Sequence, residues 1–301
     1  MKKGNILLAV CFLTISFWTF GQNDYAFKVL ANKGSNEVKS GDGWLAVKTG
    51  TSLKTGDELK ISENAYLGLV HSSGKPIEIK QAGSYKVADL AAKVSGGTSV
   101  LNKYTDFILS SNSAEAKKNR LSATGAVHRG GPEAITVFLP ENQYSSIYNS
   151  TVIINWEAKG NGPYVVTLKN MFEDELLKAE TPEKSMQVNL SEPKFANEAA
   201  ILVEVKSKVD GKSKSEQHLI KKLAPAEQER VKKGLEEINS QVKEESALDN
   251  LILAGFYEQN KLFIDAITAY EKAIKMSPDV PSYKEAYDEF LLRNKIKLEK
   301  R

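Results

Sequence analysis

Residues 44–70 read WLAVKTGTSLKTGDELKISENAYLGLV. Apolar alternation opens this stretch in Trp44-Leu45-Ala46-Val47 and closes it in Leu67-Gly68-Leu69-Val70, and it returns in Ile77-Glu78-Ile79. A period of two is the mark of strands whose side chains point to opposite faces. Gly41, Gly43, Gly50, Gly56, Gly74 and Gly83 fall between these runs, where tight turns favour glycine. Many short strands separated by glycine turns predict a small β-sandwich or barrel over roughly residues 24–90.

The wording of the stretch resembles the periplasmic β domain of the FecR family, the iron-dicitrate sensors. Trp44, Gly50, Leu53, Gly56, Asp57, Leu59, Ala65 and Leu67 carry the resemblance, with Gly74, Ile77 and Ile79 after them. Sensors of that family place a cytoplasmic segment and a membrane helix ahead of this domain. Here only a short leader precedes it, so the resemblance implies a shared β module rather than σ-factor signalling. It also implies a bacterial source, which leaves little weight to the glycosylation-type triplet Asn149-Ser150-Thr151.

Upstream, Lys2 and Lys3 precede an apolar run from Ile6 to Phe20, and the chain then turns polar at Gly21-Gln22-Asn23-Asp24. That is the layout of a secretory signal peptide over 1–21, with cleavage expected before Gln22. A retained anchor is the alternative, although the run is short for a membrane span. The single cysteine, Cys11, lies inside the apolar run, so a cleaved chain would have neither disulfide nor thiolate chemistry. No second apolar run approaches spanning length. The expected location is exported, in the periplasm or at the outer-membrane periphery.

Downstream of the first β segment the period changes to that of a helix. Val100, Leu101, Tyr104, Phe107 and Ile108 share one helical face, with Thr98 as a candidate cap, and close a first domain over 24–109. Ser, Asn and Lys dominate from Ser110 to Gly125, which reads as part of a linker over 110–132. Strand candidates then follow at 135–139, 152–156, 164–168 and 200–205. Trp156 ending one strand, with Gly162-Pro163 and a Tyr-led strand after it, resembles an immunoglobulin or fibronectin type III sandwich over 133–222.

A third segment, 225–301, is helical. Pro225 opens it, and Val231, Leu235, Ile238 and Val242 form an amphipathic stripe. Leu253, Ala254, Tyr257, Ala266, Tyr270, Ala273 and Pro278 follow the pattern of one tetratricopeptide repeat. Such repeats need about three units to be stable. The helices after Pro225 and Pro281 are therefore expected to act as neighbours or caps. The fold class is thus multidomain: a FecR-like β domain, an Ig/FnIII-like sandwich and a C-terminal TPR-like hairpin.

Chemistry is hard to find. His71, His128 and His218 lie in three segments without paired spacing, and read as surface or turn residues rather than zinc ligands. No G-x-S-x-G elbow, P-loop or G-x-G-x-x-G occurs. Gly96-Gly97 and Arg129-Gly130-Gly131-Pro132 read as turns, Glu173-Asp174-Glu175 as a solvated loop, and Trp44 and Trp156 as core. Lys plus Arg exceed Asp plus Glu by only 41 to 38, which argues against a nucleic-acid partner. No enzyme activity and no cofactor are expected. The expected role is an envelope scaffold or adaptor that binds other envelope proteins, with Tyr257, Asn260, Lys261, Tyr283 and Tyr287 as the candidate partner surface. Glycan or peptidoglycan recognition by the β modules, or an accessory role in a FecR-type system, are the alternatives.

Overall fold

The computed structural model describes residues 25–94, 99–123, 135–209, 211–239, 242 and 245–297. The readings of the leader, Cys11, Gly96-Gly97, Thr98, His128 and 129–132 fall outside these residues.

The first module carries β1 (Phe27–Lys33), β2 (Glu37–Ser40), β3 (Gly43–Ala46), β4 (Ser52–Leu53), β5 (Glu58–Ile61), β6 (Tyr66–His71), β7 (Pro76–Ile79) and β8 (Gly83–Lys86), then helix α1 (Val87–Lys93). They form two antiparallel sheets, β4-β1-β6-β7 and β3-β2-β5-β8. Phe27, Val29, Leu53, Leu67 and Leu69 of the first sheet share a core with Val38, Leu59 and Ile61 of the second. Every residue from Ala65 to Val70 is buried, because β6 is covered on both sides. Leu67 and Leu69 face the partner sheet, while Tyr66 and Val70 face helices. A register shift between Val29 and Ala31 bends β1 and turns Leu30 and Ala31 to the same helices.

Trp44 corrects an expectation. Alternation placed it in the core, yet β3 is an edge strand, and Trp44 stands on the outer face of its sheet, 40% exposed, opposite Lys39. Alternation says that neighbouring side chains oppose each other, but not which face is covered.

The stretch read as linker also differs. Helix α2 (Asn102–Ser111) ends inside it and α3 (Ala114–Ala123) follows. Ala114, Glu115, Ala116, Lys117, Lys118 and Arg120 are good helix formers, and the Ser113 hydroxyl accepts from the Ala116 amide at 3.1 Å as a cap.

The second module holds β9 (Thr136–Val137), β10 (Ser146–Ile147), β11 (Thr151–Glu157), β12 (Tyr164–Lys169), β13 (Glu175–Thr181), β14 (Ser185–Asn189), β15 (Ala200–Ser207) and β16 (His218–Lys222). Its sheets run β10-β16-β15-β12-β13 and β14-β11-β9, antiparallel except for β10 with β16. Trp156 lies between them, edge-on to Tyr164 with ring centroids 5.4 Å apart.

Helices α4 (Pro225–Asn239), α5 (Ala247–Gln259), α6 (Phe263–Met276) and α7 (Pro281–Arg293) complete the described chain. The stripe Val231, Leu235, Ile238 and Val242 is buried with them, as are Tyr104 and Ile108 of α2. Ser246 caps α5 by accepting from the Asp249 amide at 3.0 Å. Lys261 takes a left-handed φ of 62° between α5 and α6, so the chain reverses there. The helices join both β modules: Leu30, Ala31, Tyr66 and Val70 belong to their core, and Ile264 of α6 enters the core of the second module.

Candidate functional site in the helical groove

Ala254 and Ala266 are fully buried where α5 meets α6. Their small side chains let the two helices approach and leave a groove lined by Tyr257, Thr268, Tyr270 and Tyr287. That groove is filled from within, by residues 148–155 of the second β module.

The fit is made of directed hydrogen bonds. The Asp265 carboxylate accepts from the Tyr148 amide at 2.8 Å and the Asn149 amide at 2.9 Å. The Asn149 side-chain amide donates to the Tyr257 hydroxyl at 2.9 Å. Thr268 Oγ1 accepts from the Ile153 amide at 3.1 Å, and Asn155 Nδ2 donates to the Tyr287 hydroxyl at 3.3 Å. The backbone explains the need. Strand β11 pairs with β14 along one edge from Thr151 to Asn155, but on the other edge it meets β9 only at Trp156 and Glu157. An uncovered edge presents unpaired amides. Helix α6 covers it and supplies Thr268 in place of a strand.

Asp265 sits in the first turn of α6, where the helix dipole favours negative charge. Its side chain is nevertheless enclosed, and burial pushes the carboxyl up to about 7 against the pull of the two amides.

The opposite side of the bundle holds the first module. The hydroxyls of Tyr66 and Tyr283 are 2.5 Å apart in a buried contact, and burial raises both phenols well above their ordinary range. Glu78 accepts from the Leu248 amide at 3.1 Å. Burial works against its charge, but Lys80, Tyr66 and that amide together hold the carboxyl below its usual value. Ser282 Oγ accepts from the Asn32 amide at 3.2 Å, and Lys33 pairs with Asp279. Within the bundle, Arg293 forms a two-pronged pair with Glu258, both contacts 2.7 Å, and reaches Asn112 of the α2–α3 turn at 2.9 Å.

The five residues expected to form an outer surface are therefore placed as follows. Tyr257, Tyr283 and Tyr287 are buried, and each hydroxyl bonds a β module. In this fold they hold the molecule together and offer no face to an added partner. Asn260 is half-buried and bonds the Phe256 carbonyl and Arg230. Lys261 alone of the five is exposed, its ammonium 5.6 Å from the Phe263 ring centre. Asp265, Thr268, Asn149 and Asn155 went unread; nothing local in sequence marks a side chain that will meet an amide more than a hundred residues away.

The remaining residues named from sequence are dispersed. His71 Nδ1 lies 2.8 Å from Ser73 Oγ, and His218 is on β16; burial lowers both imidazoles. Glu173 forms part of the β12–β13 turn and pairs with Lys169 at 2.6 Å. Among the described residues no group of three His, Cys, Asp or Glu side chains is placed to hold a metal ion. No described helix is long and apolar enough to cross a membrane. No protein-family model and no curated protein matches the chain.

Proposed function

We propose that the chain is a non-catalytic envelope scaffold or adaptor in which the helical hairpin is an internal bracket. The carrying observation is the occupied groove: the surface that a tetratricopeptide-like hairpin would offer a partner instead binds residues 148–155 of the same chain. The bracket sets two β modules in a fixed relation, and contact with other proteins passes to their exposed edges. The close α5–α6 pair with Ala254, Ala266, Tyr257 and Tyr270 in its seam supports the TPR-like reading. Trp156 packed on Tyr164 between two sheets supports an Ig/FnIII-like second module. The glycine-punctuated double sheet around residues 44–70 supports a FecR-like first module, and the leader supports export to the periplasm.

The edge strand β3 is the candidate outer contact, since Trp44 and Leu45 are 40% and 62% exposed and sit on opposite faces of it. An added strand would cover both. The test is a crosslinked pull-down of tagged mature protein from native envelopes. A stoichiometric protein partner should survive Tyr257→Phe and be lost with Trp44→Ser plus Leu45→Ser. A partner lost on Tyr257→Phe, with the fold intact, would overturn the bracket reading.

One observation favours glycan recognition as a second reading. On the outer face of its sheet Trp44 begins a row that continues through Lys39, Glu58 and Lys86, an aromatic beside hydrogen-bonding groups on an open sheet. Retention on isolated cell-wall glycan that disappears with Trp44→Ala, and no protein partner, would move the assignment there.

A further inference from the structure

Two distant features of the surface match each other. The first is the turn between β12 and β13, where Met171 and Phe172 stand 56% and 86% exposed. Phenylalanine is among the residues most often buried. This one is held outward by a braced turn. Asn170 Oδ1 accepts from the Phe172 and Asp174 amides, both at 2.9 Å, and Asn170 Nδ2 donates to Asp174 Oδ2 at 2.9 Å. Glu173 takes a left-handed φ of 71°, unusual for a residue with a side chain, while Lys169 and Gln217 hold its carboxylate. Strain maintained at an exposed apolar tip points to use. The tip carries an acidic collar of Glu173, Asp174 and Glu175; Glu175 meets Lys178 only at 3.9 Å.

The second feature is a cleft of about 360 Å³ where the first module, the α2–α3 turn and α7 converge. Leu30, Ile108, Leu109 and Ala286 give it an apolar lining, and Lys117 and Glu285 stand on its rim. Lys117 reaches Glu289 at 3.7 Å, so its ammonium keeps donors for a further acceptor. The volume suits one or two large side chains.

We propose that the Met171–Phe172 tip of one copy seats in this cleft of a second copy. Phe172 would occupy the apolar lining, and the acidic collar would face Lys117 on the α3 side, away from Glu285. The same collar disfavours an anionic membrane as the occupant. Tip and cleft are different patches of one chain, so the contact is head-to-tail and propagates into a filament or closes into a ring. It does not depend on the adaptor reading, since it concerns neither β3 nor the groove.

Light scattering and sedimentation of the full mature chain, from low to high micromolar concentration, test the proposal. The weight-average mass should rise with concentration. Phe172→Ser removes the tip, and Ala114→Trp, at an exposed position lining the cleft, blocks the socket; each should weaken association at least tenfold with unchanged circular dichroism. The decisive sample is the mixture. The Phe172→Ser chain keeps an open cleft and the Ala114→Trp chain keeps its tip, so together they should form one-to-one dimers that grow no further. A wild-type monomer at every concentration overturns the proposal, as does assembly indifferent to Phe172→Ser. Phe172-dependent binding to vesicles of phosphatidylcholine with phosphatidylglycerol, by a chain that stays monomeric, overturns it in favour of a membrane contact.

Discussion

Asp265 concentrates the physical conflict of the joint in one side chain. Two amides and a helix N-terminus favour its charge; complete enclosure opposes it and prevails. The carboxyl has an ordinary value of 3.8 and a value of about 7 in the fold, so folding favours the protonated form. Its stabilising contribution is complete below about pH 4 and is lost as pH rises through 7, by linkage on the order of a few kcal/mol. Burial raises Glu271 as well and adds in the same direction, whereas the lowered imidazoles of His71 and His218 act oppositely, losing stability as pH falls. The informative quantity is thus the difference between wild type and Asp265→Asn. Thermal melts at pH 5 and pH 8 should show the wild-type midpoint falling relative to the variant as pH rises. A constant difference across that range would mean that the carboxyl is already ionised at pH 5, and that the amides outweigh burial.

Among the elements, α5 is packed most closely. Gly255 faces α2, and a Cβ there would lie 2.9 Å from two carbons of Ile108 and 3.5 Å from the Tyr104 carbonyl. Alanine is the better helix former by about 1 kcal/mol, but overpacking a buried seam costs about 1–3 kcal/mol. Gly255→Ala should therefore be net destabilising, or neutral at best, read as a lower urea midpoint with an unchanged slope. Neither this seam nor the partner of the groove is visible in the sequence, although the helices that form them are. The periods around Tyr104, Val231 and Ala254 announce α2, α4 and α5 because each buries one continuous stripe. Strand β13 went unread: Glu175-Leu-Leu-Lys-Ala-Glu-Thr lies at a sheet edge, where no face is fully covered and alternation fades. Helix α3 was taken for linker because it has little apolar face to display; it is held by charge, Arg120 to Glu289 at 3.2 Å. What fills the groove depends on side chains meeting backbone amides 115 to 117 positions away, a relation that leaves no periodic trace.

At the scale of the molecule, three regions that read as separate domains share their interiors. Leu30 and Tyr66 of the first module lie in the helical core, and Ile264 of α6 lies in the core of the second. Independent domains joined by linkers would melt separately, whereas a body with shared cores should unfold together. Calorimetry of the wild type should accordingly give one transition whose calorimetric and van't Hoff enthalpies agree. Asp265→Ala combined with Thr268→Ala tests where the coupling resides. It strips the Tyr148, Asn149 and Ile153 amides of their acceptors, at about 1–3 kcal/mol for each amide left buried, while leaving the Tyr66–Tyr283 contact untouched. The expected result is two transitions, residues 135–222 melting first and the helices remaining with the first module. If the wild type itself melts in separate steps, the groove contacts are too weak to set one β module against the other, and the bracket fails as a mechanism. If the double variant still melts as one, the coupling rests on Ile264 and its apolar surroundings, and the hydrogen bonds serve only to choose the register in which β11 meets α6.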